Sequence, residues 1–254
     1  MPLDGIVLNC IADTLNKTLI NGRIDKIHQT EKDELFFTVR NNGDNFKLLI
    51  TASSNYPRIH ITNNIKSNPL QPPVFCMLLR KHLIGARIRE IKQLNFDRIL
   101  EIVFESKDEL KSTIYKSFII EIMGKHSNII LLNTDSRIII DSIKRVGQNI
   151  SSKRQVYPGL VYNLPPSKDK YNPLYIEKDR FINLINNTQQ GISLYKFFYY
   201  TFNGISPIIS KEICFLADFD ESTSLAEINS NLAEKLWISF NLILEKIKQK
   251  NFLP

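Results

Sequence analysis

The chain has 254 residues, 43% hydrophobic and 23% charged, with a formal net charge of +7. It can bury a sizeable core in one or two domains. No run of eighteen uninterrupted apolar residues and no basic leader before an apolar stretch is present, so no membrane partner and a cytoplasmic location are expected. Cys10, Cys76 and Cys214 are odd in number, widely spaced and set in apolar runs. They fit neither a metal site nor a disulfide framework, and no metal or cofactor is expected.

From Asp4 to Leu19, Val7, Leu8, Ile11 and Leu15 recur at helical spacing and predict a helix covering a sheet. Residues 23–29, 35–40 and 46–51 alternate as strands, with Asn41-Asn42-Gly43-Asp44 turning the second into the third. Pro72 and Pro73 can open a helix over 74–84 that Gly85 ends. Strands are expected near 87–94, 98–105, 113–123, 127–133 and 137–143, and the short gaps between them argue for antiparallel meanders. A passage rich in Pro and Lys, residues 157–173, marks a boundary, beyond which the periodicity turns helical. Asn203-Gly204-Ile205-Ser206-Pro207 reads either as a plain helix connection or as a helix-hairpin-helix turn offering backbone N–H groups to a phosphate. A last helix, roughly 225–250, places Leu232, Leu236, Phe240, Ile243 and Ile247 on one face.

Charge is uneven along this order. Residues 1–172 hold 25 Lys+Arg against 17 Asp+Glu, whereas 173–254 hold 8 against 9. The basic surface therefore belongs to the first part and suits a phosphate-rich partner. Three constellations carry candidate chemistry. In Glu121 to Ile130, EIMGKHSNII, the polar residues Lys125, His126, Ser127 and Asn128 lie between two apolar strands. They form either a hairpin tip facing water or a displayed binding group, with Ser127 and Asn128 satisfying turn backbone or reading a base. In FCMLLRKHLIGARI, Arg80, Lys81 and His82 crowd the last turns of a helix with Arg87 beyond it, which serves dipole capping or phosphate contact. In Asn95-Phe96-Asp97-Arg98, taken as strand, an adjacent acid and base point to opposite faces, so one must be paired internally or face a ligand.

In order and number these segments resemble the N-terminal (NFACT-N) domain of the RqcH/NEMF family, the bacterial "fibronectin-binding proteins" of the FbpA type. The resemblance rests on Asp4-Gly5, Gly22 to Ile27, Pro57-Arg58-Ile59-His60, Pro72-Pro73 leading into LLRKHL, Asp97-Arg98, EIMGKHSN, Ile140 to Val146, and Pro158-Gly159 with Tyr162 and Pro165-Pro166. It implies an α+β fold, antiparallel sheets with covering helices like the N-terminal domain of formamidopyrimidine DNA glycosylases, then a small all-α helix-hairpin-helix-like domain. The domains expected are residues 1–172 and 173–254, and the family's coiled coil and further C-terminal domain are missing from the sequence, as in a fragment. The resemblance implies a non-enzymatic role in ribosome quality control: binding an obstructed large ribosomal subunit with peptidyl-tRNA, and recruiting tRNA, alanyl-tRNA in bacteria, for untemplated C-terminal tailing of stalled chains. It marks Asp97 and Arg98 as the pair most directly concerned with tRNA. Arg80, Lys81, Arg87, Lys125, His126, Lys144 and Arg145 are expected to form one positive surface facing RNA, with Lys125 to Asn128 close to Asp97-Arg98.

Two other classes of function follow from the same resemblance. Met1-Pro2 would expose a prolyl amine of the kind glycosylases use as nucleophile, but position 3 is Leu3, not the carboxylate that proton transfer needs. A fibronectin or fibrinogen adhesin would require a leader, anchor or repeat, and the sequence offers none.

Overall fold

The structure is a computed structural model and describes residues 3–64, 66–108, 110–166, 169–188 and 191–252. The alternating segments become nine antiparallel strands: β1 Arg23–Glu31, β2 Glu34–Asn41, β3 Asp44–Thr51, β4 Arg58–Ile61, β5 Arg87–Gln93, β6 Ile99–Lys107, β7 Thr113–Glu121, β8 Asn128–Asn133 and β9 Ile139–Ser142. They form one sheet in the order β4-β3-β2-β1-β5-β6-β7-β8-β9. The β2–β3 reversal runs through Asn42 (φ 49°) and Gly43 (φ 92°), the positive pair that a tight hairpin needs and that Asn-Gly tolerates.

β1 and β5 pair only at Arg23 and Arg87 and then diverge. Helix α2, Val74–Leu83, fills the opening and buries Phe75, Cys76, Leu79 and Leu83. The Ile27 carbonyl on the widened edge of β1 is met by Arg80 Nε at 2.8 Å and Cys76 Sγ at 3.7 Å. Without them that buried acceptor would lack a partner. Across the interior, Phe37 of β2 packs on Phe104 of β6 and Phe118 of β7, with ring centroids 6.4 and 5.3 Å away, so the two halves of the sheet close over a shared apolar layer. Helix α1, Gly5–Leu19, buries Leu8, Ala12, Leu15 and Leu19. Its Asn16 Nδ2 donates to the Ile91 carbonyl of β5.

The remaining elements are helical: α3 Lys178–Asn187, α4 Leu194–Thr201, α5 Pro207–Leu216 and α6 Ser230–Lys248. Their core is aromatic, with Phe181, Phe197, Phe198, Phe202 and Phe240 fully buried. Phe202 lies 4.9 Å from Phe240 between ring centroids. Asn229 caps α6 by accepting from Leu232 N at 3.0 Å.

The chain divides into two compact units, one of Ile11–Leu94 with Arg98–Pro166, the other of the segment up to Cys10, Asn95–Asp97 and the C-terminal segment. The expected boundary at residues 172 and 173 lies inside the C-terminal segment of the second unit. Asn95-Phe96-Asp97-Arg98 is not strand but the β5–β6 turn, in which Asn95 and Phe96 both have positive φ, 48° and 56°. The alternation argument therefore does not apply to Asp97 and Arg98. Phe96 is 3% exposed and belongs to the helical core. In that same unit Gly204 (φ +69°) approaches so closely that an added Cβ would lie 2.2 Å from the Phe96 carbonyl oxygen, and Gly5 N donates to Gly204 O at 2.9 Å. Only glycine fits such an approach.

Candidate nucleic-acid interface

The register sets Ile99, Glu121 and Asn128 side by side across β6, β7 and β8 at one end of the sheet. One step further out, Ile122 N donates to the Arg98 carbonyl at 2.9 Å. Arg98 thus stands beside the segment that leads into the 123–127 turn. That turn is a short 3-10 helix, Gly124–His126, entered by Gly124 with φ +56°. His126 N donates to Met123 O at 3.1 Å, and Ser127 Oγ accepts from Met123 N at 2.8 Å. Lys125 and His126 are exposed, while Ser127 and Asn128 are buried, 1% and 3% exposed.

Burial decides the role of these last two. Asn128 Oδ1 accepts from Lys144 N at 3.1 Å and its Nδ2 donates to Lys144 O at 2.8 Å, so the side chain bridges β8 to the strand end after β9. Its remaining acceptor capacity goes to Ile129 N at 2.9 Å. The two residues frame the turn and do not face a ligand, which corrects their expected contact with RNA. Lys144 turns inward, with Nζ donating to the Ala52 carbonyl, and burial lowers its pKa. Arg145 makes a bidentate pair with buried Asp141, Nε–Oδ1 and Nη2–Oδ2 both 2.8 Å, and that pairing raises its pKa. The Arg145 side chain is still half exposed and lies 5.9 Å over the Tyr157 ring.

Beneath the turn, Glu121 is 1% exposed and accepts from both terminal guanidinium nitrogens of Arg154, with Tyr162 Oη donating at 2.9 Å. Burial and the neighbouring Glu121 carboxylate push the Tyr162 phenol upward. This anchor was missed as a unit in the sequence, although a lone Glu inside SFIIEIM is its signal: a buried carboxylate needs a partner.

Other expected members are placed elsewhere. Arg80 is spent on the Ile27 carbonyl and lies 3.5 Å from His28 Nδ1. Lys81 is exposed on α2. Arg87 pairs with Arg23 and Glu105, at the opposite end of the β5–β6 ladder from Arg98, so the expectation of one surface holding all seven groups does not hold for Arg87. At the helix-hairpin-helix-like turn the phosphate contact is what the structure bears on. Ser206 Oγ donates to Asp4 Oδ2 at 2.7 Å and accepts from Ile209 N at 3.3 Å, so the start of α5 already faces a carboxylate of its own chain. Among the described residues no group of His, Cys, Asp and Glu side chains could hold a metal ion, and no helix is long and apolar enough to cross a membrane. Met1-Pro2, on which the glycosylase alternative turns, lies outside the described residues.

Fold and surface together define an α+β protein whose nine-stranded antiparallel sheet displays a short cationic turn, Arg98 beside it, on a buried frame. Residues 4–254 match the family described as NFACT N-terminal and middle domains, and the chain belongs to that family. It is 36% identical over 256 residues to "Rqc2 homolog RqcH" of Bacillus subtilis, covering all of this chain and 42% of that protein. It is 40% identical over 189 residues to the protein of the same name from Streptococcus pneumoniae, covering 74% of this chain and 34% of that one. The chain thus spans less than half the length of these curated relatives. Among solved structures it resembles "the fibrinogen binding protein from Staphylococcus aureus", with TM-score 0.80 and 32% identity over 98% of this chain and 83% of that one.

Proposed function

We propose that this chain serves ribosome quality control as a non-enzymatic, cytoplasmic RNA-binding part that engages the obstructed large subunit and recruits tRNA, alanyl-tRNA in bacteria, for untemplated tailing. Relatives named as Rqc2 homologues and ribosome quality control subunits support the role. The observation that carries the RNA contact is the grouping of Arg98, exposed Lys125 and exposed His126 at one sheet end, clamped from below by Asn128 and Glu121. Ammonium and guanidinium groups meet phosphates there, and the imidazole stacks on an unpaired base or donates to a phosphate. Asp97, next to Arg98 in the chain, is assigned to the same recognition on the strength of the family resemblance. Peptide transfer is left to the ribosome's own centre, so the chain needs no nucleophile of its own.

Binding of alanyl-tRNA measured against salt tests this reading. Lys125→Ala and Arg98→Ala should each weaken binding while remaining folded, and each should reduce the magnitude of the salt slope by about 0.7–0.9. Unchanged affinity and slope in both variants would overturn it. Specific binding of fibrinogen with no RNA binding would favour the activity named for the Staphylococcus aureus neighbour.

A further inference from the structure

The outward face of β1, β2 and β3 carries a cleft of about 310 Å³ that the sheet-end site does not use. Its construction follows from the register. Lys26, Thr38 and Lys47 are directly paired across the three strands, and so are His28, Phe36 and Leu49 in the neighbouring row. Directly paired residues of antiparallel strands share a face, and strands lie about 4.8 Å apart, so the two lysines flank the Thr38 hydroxyl with Cα atoms about 10 Å apart. A register shift between Ile24 and Lys26 leaves Asp25 as the extra residue of a bulge, turned toward the cleft while Ile24 stays in the core. Lys66 closes the rim, held by Glu31 at 2.6 Å and Glu34 at 2.9 Å.

Charge accounting separates structural cations from free ones. Lys66 is neutralised by its two carboxylates, whereas Lys26 and Lys47 make no ion pair among the described residues. Arginine only donates, so the 3.5 Å approach of Arg80 Nη2 to His28 Nδ1 is a hydrogen bond only when His28 carries its proton on Nε2. That leaves an N–H donor without a partner among the described residues, beside the apolar floor of Phe36.

We propose that this cleft binds a single nucleotide unit, its phosphate held by Lys26, Lys47 and the Thr38 hydroxyl and its base lying toward Phe36 and His28. Two ammonium groups around a hydroxyl suit a tetrahedral oxyanion. An aromatic floor offers a planar base a stacking surface. Asp25, which would repel a second anion, is a suitable acceptor for ribose hydroxyls. A cleft of this volume is at the small end of the range for ligand pockets, about 300–1,000 Å³, so it admits one nucleotide and excludes a duplex. The unit is either a free nucleotide or an unstacked residue of a single-stranded RNA, which present the same chemistry.

The test is a titration of the whole chain with adenosine 5′-monophosphate, inorganic phosphate, adenosine and a short single-stranded RNA, followed by amide NMR shifts. Adenosine monophosphate should shift β1–β3 amides at lower concentration than phosphate or adenosine alone. Lys47→Ala and Lys26→Ala should each weaken it about tenfold. Thr38→Val, isosteric and β-branched, should weaken it without loss of melting temperature. If the RNA displaces the mononucleotide at lower concentration, the ligand is a strand residue; if it does not, the ligand is the free nucleotide. No β1–β3 shifts at millimolar nucleotide, or unchanged binding in Lys47→Ala and Thr38→Val, would overturn the proposal. Shifts of β1–β3 amides and the Lys26, Lys47 and Thr38 variants read this cleft, whereas alanyl-tRNA binding by the Lys125 and Arg98 variants reads the sheet end, so either assignment can fail without the other.

Discussion

Replacing Asn128 by alanine separates two roles that the sequence leaves open, reading a base and holding the turn. The carboxamide is 3% exposed and makes both hydrogen bonds to the Lys144 backbone, at 2.8 and 3.1 Å. Asn128→Ala removes both, at about 1 kcal/mol each, together with the Oδ1 contact to Ile129 N at 2.9 Å. The Lys144 carbonyl keeps Ser142 Oγ at 3.0 Å, but its N–H is left without the Asn128 acceptor. That unsatisfied donor costs about 1 kcal/mol more, the low end of the range because water can enter from the half-buried side of Lys144. The Lys144 contributions alone, about 3 kcal/mol, correspond to a fall in melting temperature of at least about 6 °C for a chain of this size. Urea denaturation followed by circular dichroism measures it, with RNA affinity determined well below the transition. The expected result is a shifted midpoint with RNA binding largely kept. A wild-type midpoint with RNA binding lost would refute the framing role and return Asn128 to the ligand.

Glu121→Gln should lower stability by about 3–5 kcal/mol in the same assay, because it leaves the Arg154 guanidinium buried without its counter-charge. A loss below 1 kcal/mol would show that the pair is not the anchor described. Gly204→Ala should cost at least about 2 kcal/mol, since φ is +69° and the new methyl would collide with the Phe96 carbonyl; limited proteolysis of the helical segment should accelerate, and unchanged cleavage would contradict it. His28, His60 and His82 all have pKa values lowered, first by burial and then by cationic neighbours. Below the unfolded value near 6.5 the unfolded chain binds more protons, so the contribution of these groups is present above that pH and is lost as pH falls through the folded values. Urea midpoints measured from pH 7.5 down to 5 should therefore fall, and His28→Gln should flatten the fall; an identical profile in the variant would exclude His28 from it.

Strand positions were legible because alternation with Gly or Asn at the reversals leaves little choice, as in the β2–β3 hairpin at Asn42-Gly43. The 123–127 turn was legible for the same reason. The roles of Ser127 and Asn128 were not, because an amide or hydroxyl suits a wet turn and a buried clamp equally, and only the distance to Lys144 distinguishes them. Arg87 could not be placed, since which end of a strand lies near a distant turn depends on register across several strands. Asn95-Phe96-Asp97-Arg98 misled for a more specific reason. Phe96 looks like a strand residue, yet it has a positive φ and is buried in a hydrophobic cluster whose other buried members come roughly a hundred residues later in the chain.

That placement of Phe96 has a consequence for synthesis on the ribosome. The other buried residues of its cluster, Phe181 and Phe240 among them, leave the exit tunnel long after it does. At about 5–20 residues per second the delay is about 5–30 s. During that interval β5 and β6 can pair, but the strained turn between them has no aromatic core to hold its positive φ values. The nascent chain should therefore carry an exposed phenylalanine beside Arg98 until α6 is complete, and a chaperone that binds isolated aromatics should associate with chains arrested before residue 230 and leave those arrested with α6 fully emerged.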